Sequence, residues 1–231
     1  MDDLLRLFHL VGVGLVLMLP LANPLTSMSL LLSLGSGIPY RERQKQITQS
    51  AFYVFGIMLV AYFGGTLIMQ SFGISIPGLR IAGGLIVSGI GFQMLSPSSR
   101  TDDMPEADTV SEQIATKKTT NIAFVPLAMP GTAGPGNIAM IISTTASIPS
   151  SITSVYSHWF LHTAAILVFL LLSLLFWLAL RFAGRVVAVI GQSGVEAISR
   201  IMGFLVVCMG VQFIINGVLE IATEFMATQA V

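Results

Sequence analysis

Pro20-Leu-Ala-Asn-Pro24 interrupts an apolar run that extends from Leu4 to Leu34, and Pro130-Gly-Thr-Ala-Gly-Pro-Gly136 interrupts a second run from Asn121 to Thr145. Proline lacks the backbone N–H that continues a helix, and its ring clashes with the preceding turn. Each run is therefore expected as two half-helices joined by a break, not as one straight rod. Four further windows are uninterrupted: Thr48–Gln70, Ile76–Leu95, Ser157–Leu180 and Ala197–Thr223. A helix crosses the hydrocarbon core of a bilayer with about 20 mainly apolar residues. The expectation is an all-α membrane protein of six transmembrane helices, the first and fourth of them discontinuous.

Composition agrees. The chain has 231 residues, of which 54% are hydrophobic and 10% charged. Soluble domains carry roughly 25% charged residues, so this surface is meant for lipid. The formal net charge is zero, which implies no attraction to nucleic acid. With a single cysteine, Cys208, an intramolecular disulfide is excluded. The acidic start Met1-Asp2-Asp3 lacks the basic flank of a signal peptide, so residues 4–22 are expected to be a retained membrane segment.

Lysine and arginine mark the cytoplasmic loops of membrane proteins. Arg41, Arg43 and Lys45 follow the first window, Arg100, Lys117 and Lys118 the third, and Arg181 and Arg185 the fifth, with Arg200 just beyond. The other side carries Arg6 and Arg80. This places the basic loops in the cytoplasm and both termini outside, in the periplasm if the source is a Gram-negative bacterium, for a multi-pass protein whose first partner is the lipid bilayer.

The two halves resemble each other. Leu21-Ala-Asn-Pro-Leu-Thr26 matches Leu127-Ala-Met-Pro-Gly-Thr132, and Arg80-Ile-Ala-Gly-Gly-Leu matches Arg200-Ile-Met-Gly-Phe-Leu. The division is 1–96 as a first three-helix repeat, 97–120 as a polar cytoplasmic linker, and 121–231 as a second repeat. An odd number of spans per repeat inverts the second copy. Inverted repeats with broken helices are the architecture of secondary transporters, with the substrate at the repeat interface.

A broken helix exposes backbone N–H groups at one end and carbonyls at the other. Bare in lipid, each costs several kcal/mol. Two breaks meeting near the midplane offer both polarities to one small molecule, and a zwitterionic amino acid fits. Its carboxylate would take N–H groups near Leu25–Ser27 or Thr132–Ala133, and its ammonium carbonyls near Ala22 or Ala128. Asn23, Thr26, Thr132 and Asn137 are the side-chain candidates. Read one break at a time, these are ordinary capped kinks; it is the matched pair that points to a site. Gly83, Gly84, Gly89, Gly91, Gly203 and Gly210 suit close helix packing, and Ser88 and Cys208, at equivalent places in the two copies, suggest packing as well. Arg80 and Arg200 open their windows as interfacial anchors or as gates. His158 and His162, beside Trp159 and Tyr156, read as interfacial belt residues; a metal would need more ligands than these. The windows hold no central carboxylate. Any coupling ion is then expected to be Na+ on carbonyls and hydroxyls rather than H+, and no other cofactor is implied. No catalytic set is present, and the glycine-rich Gly131–Gly136 lacks the lysine of a phosphate-binding loop. An enzyme is not expected.

The strings Leu21–Thr26, Gly73-Ile-Ser-Ile-Pro-Gly-Leu-Arg-Ile-Ala-Gly-Gly-Leu85, Ile122–Pro130 with Thr132–Gly136, and Glu196-Ala-Ile-Ser-Arg-Ile-Met-Gly203 closely resemble the MarC family of bacterial inner-membrane proteins. The likeness runs over nearly the whole chain and is weakest in 97–120 and 146–192. Relatives include transporters of small neutral amino acids such as glycine and alanine, and the family is grouped with amino-acid exporters. The resemblance implies that the broken helices form the substrate site, here Asn23, Pro24, Thr26, Pro130, Thr132, Gly134 and Pro135. Gly131 departs from the pattern, standing where relatives have a hydroxyl. The expected function is a secondary transporter for small neutral amino acids or related metabolites, working by alternating access. The alternatives are an exporter of drugs or toxic compounds, and a membrane scaffold that transports nothing. Oligomeric state is open, and a homo-oligomer is compatible with the sequence.

Overall fold

The structure is a computed structural model that describes residues 2–96, 121–129, 132–146 and 156–229. The linker 97–120, Pro130, Gly131 and the segment 147–155 lie outside the described residues. Among the described residues every regular element is helical. The helices are α1 (Asp2–Met18), α2 (Pro24–Leu34), α3 (Tyr40–Ser71), α4 (Ile76–Leu95), α5 (Pro135–Ala146), α6 (His158–Arg181), α7 (Ala183–Ile190) and α8 (Gln192–Gln229). A π-helical stretch, Ala123–Ala128, precedes α5. The four helices α3, α4, α6 and α8 are each long and apolar enough to cross a bilayer. α1, α2 and α5 are shorter.

Local chemistry sets the ends. Asn23 caps α2 by accepting from the N–H of Leu25 at 3.1 Å, and Pro24 fills the first position, where no donor is needed. Ser75 caps α4, accepting from the N–H of Gly78 at 3.2 Å. α3 stops at Gly73, whose φ of 65° only glycine adopts cheaply. Ile74 N–H then bonds Met69 O at 2.9 Å and Gly73 N–H bonds Gln70 O at 3.1 Å, the paired closure that satisfies a helix C-terminus.

α4 and α8 pack antiparallel with their backbones almost touching. A Cβ on Gly84 would stand 2.5 Å from the carbonyl oxygen of Gly210, and one on Gly91 would stand 2.8 Å from that of Gly203. Small residues allow this approach where lipid gives apolar side chains no reason to associate. Gly89 has no neighbour within 4 Å, and Cys208 is exposed, so neither belongs to the packing face expected for them. α3 and α6 form a second antiparallel pair. Tyr62 OH bonds His162 Nδ1 at 2.9 Å, Trp177 Nε1 donates to Thr48 Oγ1 at 3.2 Å, and Arg181 donates to Gln44 Oε1 at 2.5 Å. His162 therefore makes a helix-to-helix contact; the side chain of His158 lies outside the description. The core fills the space between these pairs with Met28, Leu30, Ile47, Met58, Leu172 and Phe176. Large apolar side chains such as Phe8, Phe52, Val60, Ile201 and Phe225 are exposed on the outside, as an integral membrane protein requires.

Candidate functional site between two broken helices

After Met18 the chain winds through two turn bonds, Leu19 N–H to Leu15 O and Ala22 N–H to Met18 O, both 2.8 Å, before α2 restarts at Pro24. The second break is more irregular. Leu127 N–H bonds Ile122 O at 3.2 Å and Met129 N–H bonds Phe124 O at 2.9 Å, while Val125 within the stretch is extended and the Val125–Pro126 bond is cis. α5 restarts at Pro135. The sequence match aligns Pro24 with Pro130, but the second half-helix begins five residues beyond that alignment. The breaks correspond in place, not residue by residue.

The breaks meet. Ser27 of α2 donates its hydroxyl to Leu127 O at 3.1 Å and lies 3.4 Å from Thr132 Oγ1. A Cβ on Gly136 would lie 3.4 Å from Leu21 Cδ2, so the start of α5 leans on the residue that enters the first break. Asn137 Nδ2 donates to Thr132 O. Asn23, Ser27, Thr132 and Asn137 are exposed by 5, 0, 0 and 3%. Water is excluded from all of them, so each polar atom needs a partner inside. Two atoms find none among the described residues: Asn23 Nδ2, a donor, and Asn137 Oδ1, an acceptor. Asn23 sits one turn before Ser27 on the same helical face, and Asn137 is tied to Thr132. The two orphan atoms therefore flank the Ser27–Thr132 contact.

Of the residues expected at the site, Asn23, Thr132 and Asn137 are brought together. Pro24 is half-buried in the first turn of α2, Gly134 is buried, and Pro135 is exposed. Thr26 lies on α2, but its side chain is outside the description, as is Pro130 altogether. Three of the expected backbone partners are already used: Leu25 N–H by Asn23, and Ala133 N–H by Ala128 O at 2.9 Å. Two residues were not anticipated. Ser27 stands one place past the matched motif. Gln46, buried in α3, accepts the N–H of Ile122 at 3.1 Å and so holds the entry to the second break. Its place at the end of the polar run Arg41-Glu-Arg-Gln-Lys-Gln46 gave no signal.

Arg80 is not a bare anchor. Its Nε donates to Ser143 Oγ of α5 at 2.7 Å, and its guanidinium pairs with Glu220 of α8 at 2.5 Å. Arg200 is exposed at the opposite end of the α4–α8 pair. An open groove of about 440 Å³ lies on the outer side of α3, lined by apolar groups of Phe52, Gly56, Val60, Ile68, Ile138 and Ile142 among others. It offers nothing to a zwitterion.

The profile described as MarC family integral membrane protein matches residues 8–222. The chain belongs to the MarC family. Among relatives, the UPF0056 inner membrane proteins MarC of Escherichia coli O1:K1, of Escherichia coli K12 and of Shigella flexneri are each 54% identical over 222 residues, covering 96% of this chain and all of theirs. No solved structure matches the chain. The MarC-family match covers both breaks, α4 with Arg80, and α8 as far as Glu220.

Proposed function

We propose that this MarC-family protein is a secondary transporter of small neutral amino acids and similar zwitterionic metabolites, which it holds between its two broken segments. The observation that carries the reading is the buried pair of opposite orphans, the donor Asn23 Nδ2 and the acceptor Asn137 Oδ1. An unmet buried polar atom costs about 1–3 kcal/mol. A ligand that brings a carboxylate to Asn23 and an ammonium to Asn137 removes both penalties at once. Ser27 and Thr132 complete the site with hydroxyls.

The inverted repeat is supported by the packing. α3 lies antiparallel to α6 and α4 antiparallel to α8, each helix against its counterpart in the other half, as an axis in the membrane plane demands. We take the broken pairs as the first and fourth of six crossings. Arg41, Arg43, Lys45, Arg181, Arg185 and Arg200 then gather at one end of the bundle, the cytoplasmic one, and the relatives' designation as inner membrane proteins fits that membrane.

The test is uptake of glycine and alanine by proteoliposomes, with thermal unfolding of the purified protein beside it. A ligand that binds only the folded state raises stability, by about 2.7 kcal/mol at a hundredfold excess over Kd. Alanine is expected to raise Tm, and Asn23→Ala and Asn137→Ala to lower uptake at least about tenfold while the protein stays folded. Uptake unchanged in both variants sinks the site. A Tm rise with bulky apolar drugs and none with amino acids moves the reading to an exporter.

A further inference from the structure

We infer that the apolar groove on the outer side of α3 seats one acyl chain of an anionic phospholipid, whose phosphate is held by Arg41 and Lys45. The inference stands apart from the transport reading. It starts from two glycines that line the groove of about 440 Å³ between α3 and α5. A Cβ on Gly65 would overlap Ile142 of α5, so the two helices are in contact there. A Cβ on Gly56 would meet nothing within 4 Å. Gly56 therefore serves no close approach among the described residues, although glycine inside a helix is less favourable than alanine. What its missing side chain leaves is a recess on a surface that faces lipid. The residues of α3 that line this recess run from Phe52 to Ile68. That is about 24 Å of helix axis at 1.5 Å per residue, within a hydrocarbon core of about 30 Å. An extended acyl chain suits such a length. A second helix suits it poorly. Helices associate in lipid through small residues that let backbones approach, whereas Phe52 and Val60 are bulky and 71 and 64% exposed.

The charge lies at one end of the same face. Arg41, Lys45, Gln49, Phe52 and Gly56 follow one another at three- and four-residue spacings, which keeps them on one side of α3. Lys45 stands about 10 Å along the axis from Phe52, so the cations reach headgroup level where the recess opens in the hydrocarbon. Arg41 and Lys45 are exposed, and neither is in an ion pair among the described residues, with Glu42 or with any other carboxylate. Their basic neighbours are engaged: Arg43 lies over the Tyr40 ring, and Arg181 donates to Gln44. Two uncommitted cations one turn apart repel each other, and a phosphate between them relieves that repulsion through charge-assisted hydrogen bonds. A zwitterionic headgroup brings its own ammonium and relieves it less. Ile138 and Ile142 form the other wall of the groove, and α5, which they belong to, also carries Asn137. A seated chain therefore bears on the half-helix beside the second break.

The probes are phosphatidylglycerol and phosphatidylcholine with the same acyl chains. Each is titrated onto the protein stripped of lipid in a neutral detergent, with binding read by native mass spectrometry and by Tm. One basic residue at an anionic lipid surface is worth about fivefold in binding. Phosphatidylglycerol is therefore expected to bind at least about tenfold tighter than phosphatidylcholine. Arg41→Gln with Lys45→Gln is expected to erase that preference. Gly56→Leu fills the recess where the protein has no atoms. It is expected to weaken both lipids at least about tenfold while the lipid-free Tm holds. Phe52→Ala, which trims an exposed side of the groove, is expected to weaken both as well and covers the case in which Gly56→Leu does not fold. Gly89→Leu, at an exposed glycine of α4, is expected to leave both unchanged. Equal affinity for the two lipids, or a preference that survives in the double variant, overturns the headgroup site. Binding that survives Gly56→Leu and Phe52→Ala overturns the groove. A dimer that forms when lipid is removed, and that Gly56→Leu abolishes, assigns the groove to a second copy and overturns the lipid.

Discussion

Two of the interfaces between the halves of this chain are built on opposite principles. Between α4 and α8, glycines bring backbone to backbone, and the contact has one geometry in which it fits. Between α2 and the break that precedes α5, buried hydroxyls meet, and the neighbouring amides leave a donor and an acceptor unmatched among the described residues. The first interface resists change because any added atom meets a carbonyl. The second keeps an unmet demand that a ligand satisfies. The α4–α8 contact does bury one hydroxyl without a partner among the described residues, Ser88, yet its surroundings are close-packed backbone and offer no room for a guest.

Substitution in the glycine interface is expected to have the largest effect on stability. Gly84→Val places a Cβ 2.5 Å from the Gly210 carbonyl and 2.7 Å from Ile214 Cγ1. A carbonyl on a packed helix cannot swing away as a flexible side chain can. Overpacking of this kind costs about 1–3 kcal/mol, and the backbone contact puts Gly84→Val near the top, about 3 kcal/mol. By the size scaling for chains of this length, that is a fall of about 6–12 °C in Tm. Thermal unfolding in detergent checks it, and an unchanged Tm would break the contrast between the two interfaces.

The second effect lies in the broken region. Gln46→Leu keeps the volume but leaves the N–H of Ile122 buried without its acceptor. The expected loss is about 1–3 kcal/mol, the cost of leaving that N–H unmet. Hydrogen exchange at Ile122 should rise more than at the α4–α8 contact. If exchange rises equally everywhere, the break is not a separate unit and the comparison fails.

How far the sequence foretold this depends on the distance between partners. The apolar windows located α4 and α6 to within a residue or so. They missed the first turns of α3, which begins at Tyr40 rather than Thr48, and both ends of α8. Hydropathy records where lipid touches a helix; the polar turns that project beyond it, such as Arg41 to Gln46, carry no apolar signal. Asn23, Thr132 and Asn137 were legible because proline and glycine beside them announce a break. Ser27 was not, since its hydroxyl meets a carbonyl 100 positions away. Glu220 looked like a residue near a helix end, and its meeting with Arg80 spans 140 positions. Only the packing of α4 on α8 creates that pair. The matched arginines promised symmetry, and the structure gives one a partner on each of two helices while leaving the other exposed.

The smallest expected effect sharpens the comparison most, because it uses the same helix. Gly89 lies on α4 five residues from Gly84, but a Cβ added there would meet nothing within 4 Å. Alanine at that place loses no contact and restricts the unfolded chain. Glycine inside a helix is worth about 0.5–1 kcal/mol less than alanine. Gly89→Ala should therefore leave Tm unchanged or raise it by about 1–4 °C, opposite in sign to Gly84→Val. If Gly89→Ala also destabilises, α4 needs its glycines for flexibility, and the close approach of backbones is not what selects them. If the signs are opposite, approach alone separates the two glycines. The rigid contact between the halves then resides in the narrow stripe of α4 that faces α8.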